Sequence, residues 1–225
     1  MPEKEAKDIA KERWNSEFLR RANDEIVYDG WLDIWEKDIR ECTGPIIDLG
    51  CGVGNNTKYL LEKGKEVIPC DFAHRAITNI KNTFPQVTQA KCFDMTKGLP
   101  FANGFTSMVI ADLSLHYFSE ETTYIILAEI RRILKPGGLL LFRVNSILDE
   151  NHGAGQGKEI AEHFYQTADG REKRFFNQQD IEKFWQAWQL LFYKEENMTR
   201  YALNKVLWRC SAKKLVSGKT QGEKL

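Results

Sequence analysis

Long apolar runs are missing from this 225-residue chain. No stretch approaches the roughly 18 consecutive apolar residues that a bilayer-crossing helix needs, so none is expected. Net charge is missing too: 32 basic residues balance 32 acidic ones, which removes any long-range pull toward nucleic acid or an anionic membrane. The five cysteines (Cys42, Cys51, Cys70, Cys92, Cys210) are odd in number and contain no CxxC pair, so neither a disulfide framework nor a zinc or other metal site is expected. Internal repeats and low-complexity segments are absent apart from a polar tail at 217–225. The opening "MPEKEAKDIAKERW" lacks the apolar centre of a secretory signal, and a cytoplasmic protein is the simplest expectation.

What is present is a composition 42% hydrophobic and 28% charged, suited to one globular domain over residues 1–216. Residues 1–40 read as a helical cap, with Ile9, Trp14, Phe18 and Leu19 on one face, then Trp31, Leu32, Ile34, Trp35 and Ile39 on another. After Pro45 strand and helix alternate. Strands are expected at Ile46–Leu49, 66–71, more weakly at 88–94, at 105–115 and at 139–146. Helices are expected at Asn56–Lys63, 75–84 and 120–134. Such alternation implies a parallel sheet built through right-handed crossovers. "NHGAGQG" at 151–157 reads as a glycine-rich loop, either a lid hinged on its glycines or an ordinary surface loop. A helix over 177–188 and two strands that could pair as a closing hairpin follow. Pro69 sits awkwardly in the second strand, because it cannot donate to a ladder.

The stretch "IIDLGCGVGNNTKYL" carries the most chemical information. In an open parallel sheet, ligands bind beyond the carboxyl ends of the strands, and the turn after the first strand is the place to look. Gly50, Gly52 and Gly54 permit positive φ and close backbone approach, and a helix follows. A dinucleotide turn would want G-x-G-x-x-G, yet position 55 is Asn55 and the pattern is D-x-G-x-G-x-G counted from Asp48. The second strand ends in Asp71, about 20 residues on, where a carboxylate can accept ribose hydroxyls or simply cap the next helix.

"DLGCGVG", the later Asp71, "CFDMTKGLPF", "VIADLSLHYF" and "RRILKPGGLLL" together resemble the ordered motifs of class I S-adenosylmethionine-dependent methyltransferases, over roughly Ile46 to Val144. The resemblance implies an α/β, Rossmann-like, seven-stranded and mostly parallel sheet with an antiparallel final hairpin, helices on both faces, and S-adenosyl-L-methionine as cofactor. It places the glycine turn, Cys51 included, against the methionine moiety, with Asp48 fixing the turn's amides. Asp71 would hold the ribose and Phe72 would pack on adenine. Asp94 would receive the adenine amino group, with Met95 beside it, and Asp112 would face the methionine ammonium or the acceptor. Turn-capping roles stay open for Asp94 and Asp112, and a small core role for the side chain of Cys51.

Methyl transfer is a displacement, so alignment and exclusion of water come first, and a base is needed only where the acceptor must lose a proton. His116 and Tyr117, just beyond the fourth strand, are the catalytic candidates; loop bonding and packing are their alternatives. "ADLSLHYF" lacks the Pro-Pro-aromatic element often found in enzymes that methylate amino groups of nucleic acids. A small-molecule acceptor is therefore expected and nucleic acid is not. The compact form loosely resembles the tellurite and thiopurine branch of the family. The alternatives kept are an RNA or protein methyltransferase and a non-catalytic S-adenosylmethionine-binding partner protein.

Overall fold

A computed structural model describes residues 3–22, 25–168, 170–198 and 200–215, so the polar tail at 217–225 lies outside the described residues. Helix α1 (Glu3–Arg20) opens the chain, and a 3-10 turn leads into α2 (Glu36–Glu41). Then come β1 (Ile46–Leu49), α3 (Asn55–Glu62), β2 (Val67–Asp71), α4 (His74–Thr83), β3 (Lys91–Cys92), β4 (Thr106–Asp112), α5 (Glu120–Ile133) and β5 (Leu134–Asn145). Three short strands follow, β6 (Lys158–Ala161), β7 (Phe164–Gln166) and β8 (Glu172–Arg174). Helix α6 (Gln178–Phe184) and the strands β9 (Gln189–Met198) and β10 (Lys205–Lys213) complete it.

Seven strands make one sheet in the order β3-β2-β1-β4-β5-β10-β9, parallel from β3 through β5 and antiparallel at β10 and β9. This is the expected Rossmann-like arrangement with its closing hairpin. Alternation along the strands divides two cores. Ile47, Val109, Leu140 and Phe142 pack under α5 and α6 against Ile126, Ile130 and Trp185. Ile46, Met108, Ile110 and Leu141 pack on the opposite face against Trp31, Trp35, Ile39, Tyr59 and Leu60. Asp48, Asp112, Arg143 and Asn145 alternate with the first set of residues and so share the second face, the one covered by the N-terminal region and α3.

Three expectations change. The weak strand over 88–94 shrinks to Lys91–Cys92, and the helix over 177–188 stops at Phe184, leaving Trp185 and Trp188 buried beyond its end. The stretch at 151–157 is not a free loop. It leads from a 3-10 turn into the separate β6-β7-β8 sheet, which lies between β5 and α6 in the chain. Pro69 fits for a reason of direction. Glu66 and Cys70 turn their carbonyls toward the β1 side, while Asp71 O accepts from Phe93 on the other. Alternation therefore aims position 69 toward β3, and β3 pairs only with Cys70 and Asp71. No ladder bond is lost.

Candidate functional site

The order β2-β1-β4 makes the chain reverse direction between β1 and β4, which is where an open α/β sheet leaves a crevice. The glycine turn sits at its lip with φ of +80° at Gly50, +53° at Gly52 and +96° at Gly54. A Cβ at Gly50 would lie 2.4 Å from Cβ of Ser114, and one at Gly54 would lie 2.7 Å from Cδ1 of Ile80. Those two glycines let the turn pack down on its neighbours. Gly52 is the open one: its nearest neighbour is the Phe18 ring at 3.4 Å, carried by α1.

Asp71 joins two turns. Its Oδ2 accepts from Gly52 N at 3.0 Å and its Oδ1 from Ala73 N at 2.9 Å. The second bond closes a turn ahead of α4, whose N-cap residue is Ala73 and whose first turn no side chain caps, so this carboxylate ties the glycine turn and does not cap the helix. Burial pushes its carboxyl up to about 6, and these backbone donors only partly offset the push. Each oxygen keeps a lone pair for a further donor. A neighbouring vicinal diol would supply two O–H donors to a carboxylate short of them.

Asp48 does other work than expected. It is fully buried on β1 and accepts from Thr57 Oγ1 at 2.7 Å and from Asn56 Nδ2 at 3.4 Å, while Asn56 Oδ1 accepts from Trp31 Nε1 at 2.8 Å. The sequence places it next to the turn, but strand alternation aims it at the first turn of α3 instead of at the glycine amides. Burial pushes it up to about 7. Cys51 packs with Ile77, Ile80 and Phe84 as a small core residue. Asp94 caps the 3-10 turn Met95–Lys97, taking both Thr96 N (2.9 Å) and Thr96 Oγ1 (2.7 Å) on one oxygen, which leaves Oδ2 to another donor. Met95 is buried among Leu99 and Phe101 rather than presented to a ligand. Phe72 is half-buried beyond β2, with Lys11 Nζ 5.8 Å from its ring centre.

Asp112 is engaged in a salt-bridge cluster that spacing in the sequence does not reveal. Arg143 of β5 grips it with two bonds, Nε to Oδ1 at 2.7 Å and Nη2 to Oδ2 at 2.8 Å, and reaches Asp29 Oδ2 at 2.8 Å with Nη1. Arg200, from the turn between β9 and β10, approaches the same Asp112 oxygen at 3.4 Å and Asp29 at 3.8 Å. Burial alone would raise the Asp112 carboxyl; the two guanidinium groups overcome that and hold it below the ordinary range. Its negative charge is thus neutralised within the protein, which leaves little of it for a ligand's ammonium. Beside the cluster lies a groove of about 290 Å³ lined by Arg21, Glu25, Val27, Asn55, Arg200 and Tyr201.

His116 is 2% exposed, and its Nδ1 is buried without a hydrogen-bond partner. Burial, together with the charges of Lys205, Lys173 and Arg171, keeps it well below its usual range and therefore neutral. Tyr117 lies against it, ring centres 4.3 Å apart, and takes the edge of Trp14 at 5.5 Å. Trp14 in turn stacks on Phe18, and α1 is fixed over α4 by Asn15 Oδ1, which accepts from Arg75 N, and by Phe18 O, which accepts from Asn79 Nδ2. The N-terminal helix therefore roofs the turn at Gly52 through Phe18, whereas Trp31 and Trp35 are core. The residues that sequence reading missed are Asp29, Arg143, Asn145 and Arg200. Two of them carried a signal, since Arg143 and Asn145 interrupt an otherwise apolar strand, "LLLFRVN".

A carboxylate at the end of β2, a glycine turn open only at Gly52 and a reversal of strand order beside it accompany a direct match: residues 47–142 fit the family described as "Methyltransferase domain". Over that stretch the chain is similar to methyltransferase domains. Human tRNA N(3)-cytidine methyltransferase METTL6 is 28% identical over 186 residues, covering 74% of this chain and 64% of that protein. Among the solved structures, 1,6-didemethyltoxoflavin-N1-methyltransferase of Burkholderia thailandensis, with bound S-adenosylhomocysteine, matches 90% of this chain and 87% of its own at TM-score 0.62 and 16% identity. TehB of Haemophilus influenzae matches 89% of this chain and 67% of its own, also at TM-score 0.62 and 16% identity. The likeness to those two is one of fold, and the fold is that of S-adenosylmethionine-dependent methyltransferases. The chain spans about half the length of the curated relatives it matches, between 39% and 66% of each. Among the described residues no helix is long and apolar enough to cross a membrane, and no three His, Cys, Asp or Glu side chains are grouped to hold a metal ion.

Proposed function

We propose that this chain transfers the methyl group of S-adenosylmethionine to a small-molecule acceptor. The observation that carries the donor half is Asp71, half-buried at the end of β2, tied to Gly52 N and still able to accept two more hydrogen bonds. Asp71 would take the ribose hydroxyls, Phe72 the adenine face, Asp94 Oδ2 the adenine amino group, and the open backbone at Gly52 the methionine moiety. Bound there, the cofactor supplies a methyl group on a positively charged sulfur. The chain's own work is to hold the acceptor in line and keep water out, with Trp14 and Phe18 of α1 as the roof. His116, with Tyr117 packed against it, would be the group to take a proton where the acceptor must lose one, but the burial and the cations that keep it neutral also make it a weak base.

The balanced net charge favours a small acceptor over a polyanion. The relatives favour a second reading. METTL6 and its kin are named as tRNA methyltransferases, and the similarity runs through most of this chain, so nucleic acid is not set aside. Placement in the tellurite branch rests on fold likeness to TehB alone and carries less weight. Incubation with methyl-labelled S-adenosylmethionine, with a metabolite extract and total RNA in separate arms, decides between the acceptors. Label in the metabolites alone supports the proposal; label in RNA alone replaces it with the second reading.

A further inference from the structure

Asn145 ends β5 with 1% of its surface exposed, and neither its Nδ2 nor its Oδ1 has a hydrogen-bond partner. Burying an amide unpaired forfeits the hydrogen bonds it makes with water, so native structures hold few such groups without reason. Its position explains why the protein itself cannot satisfy it. Asn145 faces the same side as Arg143, whose carboxylate partners are already taken, and its cross-strand neighbour on β10 is Leu207. The carboxylate that Arg143 shares with the N-terminal segment, Asp29, also keeps one buried oxygen unpartnered.

His116 holds another orphan, Nδ1, and one extended segment bonds the backbones of His116 and Asn145 alike. Arg174 N donates to His116 O at 2.7 Å, and Phe176 N donates to Asn145 O at 2.9 Å. The two donors are two residues apart on that segment, so the backbone carbonyls they hold are about 7 Å apart and the two residues are neighbours along it. His116 lies past the carboxyl end of β4 and Asn145 is the last residue of β5, the strand beside it, so both stand at the carboxyl end of the sheet. Lys205, the nearby cation, is engaged by Asp149 and is not competing for the amide.

We infer that the Asn145 amide, with His116 Nδ1 beside it, forms the acceptor-recognition site, and that it reads a planar acceptor carrying a hydrogen-bond donor and acceptor side by side: a carboxamide or an aminated nitrogen heterocycle. The inference rests on the methyltransferase reading above. An amide whose two polar atoms are both unpaired can bond such an edge through both at once, and rejects ligands that leave either atom unmatched. A thiol, a phenol or an aliphatic amine offers no such pair. The same edge occurs in free heterocycles and in unpaired RNA bases, so the chemistry is shared by the two acceptor sources.

The test uses the full chain, Asn145→Leu and Asn145→Asp, with methyl-labelled S-adenosylmethionine, a metabolite extract in one arm and total RNA in the other, the labelled product being identified by mass. Calorimetric titration with S-adenosylhomocysteine and thermal melts accompany each variant. The expected product is a methylated carboxamide or aminated heterocycle, and the arm in which it appears names its source. Asn145→Leu should leave S-adenosylhomocysteine affinity within about twofold and Tm no lower than wild type, since it removes an unpaired group without changing shape. It should lower kcat/KM about 10- to 100-fold, chiefly by raising KM. Asn145→Asp, which keeps an acceptor but loses the donor, should do the same and serves if the leucine variant does not fold. Unchanged kcat/KM overturns the inference, as does label confined to a thiol, phenol or aliphatic amine, or no label in either arm. A lower Tm with unchanged transfer means that trapped water alone satisfies the amide, and also overturns it. Failure of the wild type to bind S-adenosylhomocysteine is a different result, because it removes the donor reading itself.

Discussion

Asp71 gives two opposite dependences on pH. Its carboxyl stands at about 6 in the folded chain against an ordinary 3.8. Because the folded-state value is the higher one, this group stabilises the fold fully below about pH 4, and that contribution is lost as the pH rises through about 6. The difference of roughly two pKa units corresponds to at most about 3 kcal/mol. Asp48, raised to about 7 by burial, acts in the same direction. Ligand binding runs the other way. The diol of the cofactor needs an ionised Asp71 to accept both hydroxyls, and at pH 5 only about one-tenth of a group with a pKa near 6 is ionised. S-adenosylhomocysteine should therefore bind about tenfold more weakly at pH 5 than at pH 7.5, while the ligand-free protein melts at a higher temperature at pH 5 to 6 than at pH 8. Calorimetric titration and thermal melts across this range measure both slopes. Asp71→Asn should weaken binding at neutral pH and remove most of the binding slope. An affinity that is flat from pH 5 to 8, or an unchanged slope in the asparagine variant, refutes the reasoning.

Gly50→Ala combines a left-handed backbone with a Cβ 2.4 Å from Ser114, and urea denaturation should find it about 2–4 kcal/mol less stable. Arg143→Met strands Asp112 and Asp29 in their buried site. The expected loss is about 3–5 kcal/mol by the same assay, partly recovered when Asp112→Asn is added; an additive double variant would show that the pair is not coupled. Trp14→Ala opens the roof of the turn without touching the sheet. Its affinity for S-adenosylhomocysteine should fall about fivefold while the melting transition remains cooperative, both read in one calorimetric series.

The sheet was legible because its central strands are buried on both sides and its turns carry glycine, so Ile46–Leu49 and the helix after the glycine turn fall where the apolar runs predict, and the closing hairpin does so although its edge strand β9 is largely exposed. β6 was not legible, since all four of its residues are exposed and no apolar alternation marks them. Asp71 could be chosen as a site residue from spacing, yet its bond to Gly52 spans two strands. The true surroundings of Asp112 depend on Arg143, 31 residues away, and on Asp29 from the N-terminal segment, a meeting that only the strand order creates. Asp48 shows the same limit in reverse. Its neighbours in sequence are the glycines, but the side to which a strand residue points decides what it touches.

Pro69 has a bearing on how the molecule lives among copies of itself. Beyond β2 the sheet continues only as the two residues of β3, so much of the outer rim of β2 has no strand to shield it. A rim of unused donors that reaches solvent is a template on which another chain can zip and aggregate, and here Val67–Cys70 are also buried by what packs over them. The proline erases one of those donors in the middle of the rim, and the brevity of β3 leaves a recruited strand almost nothing to hold.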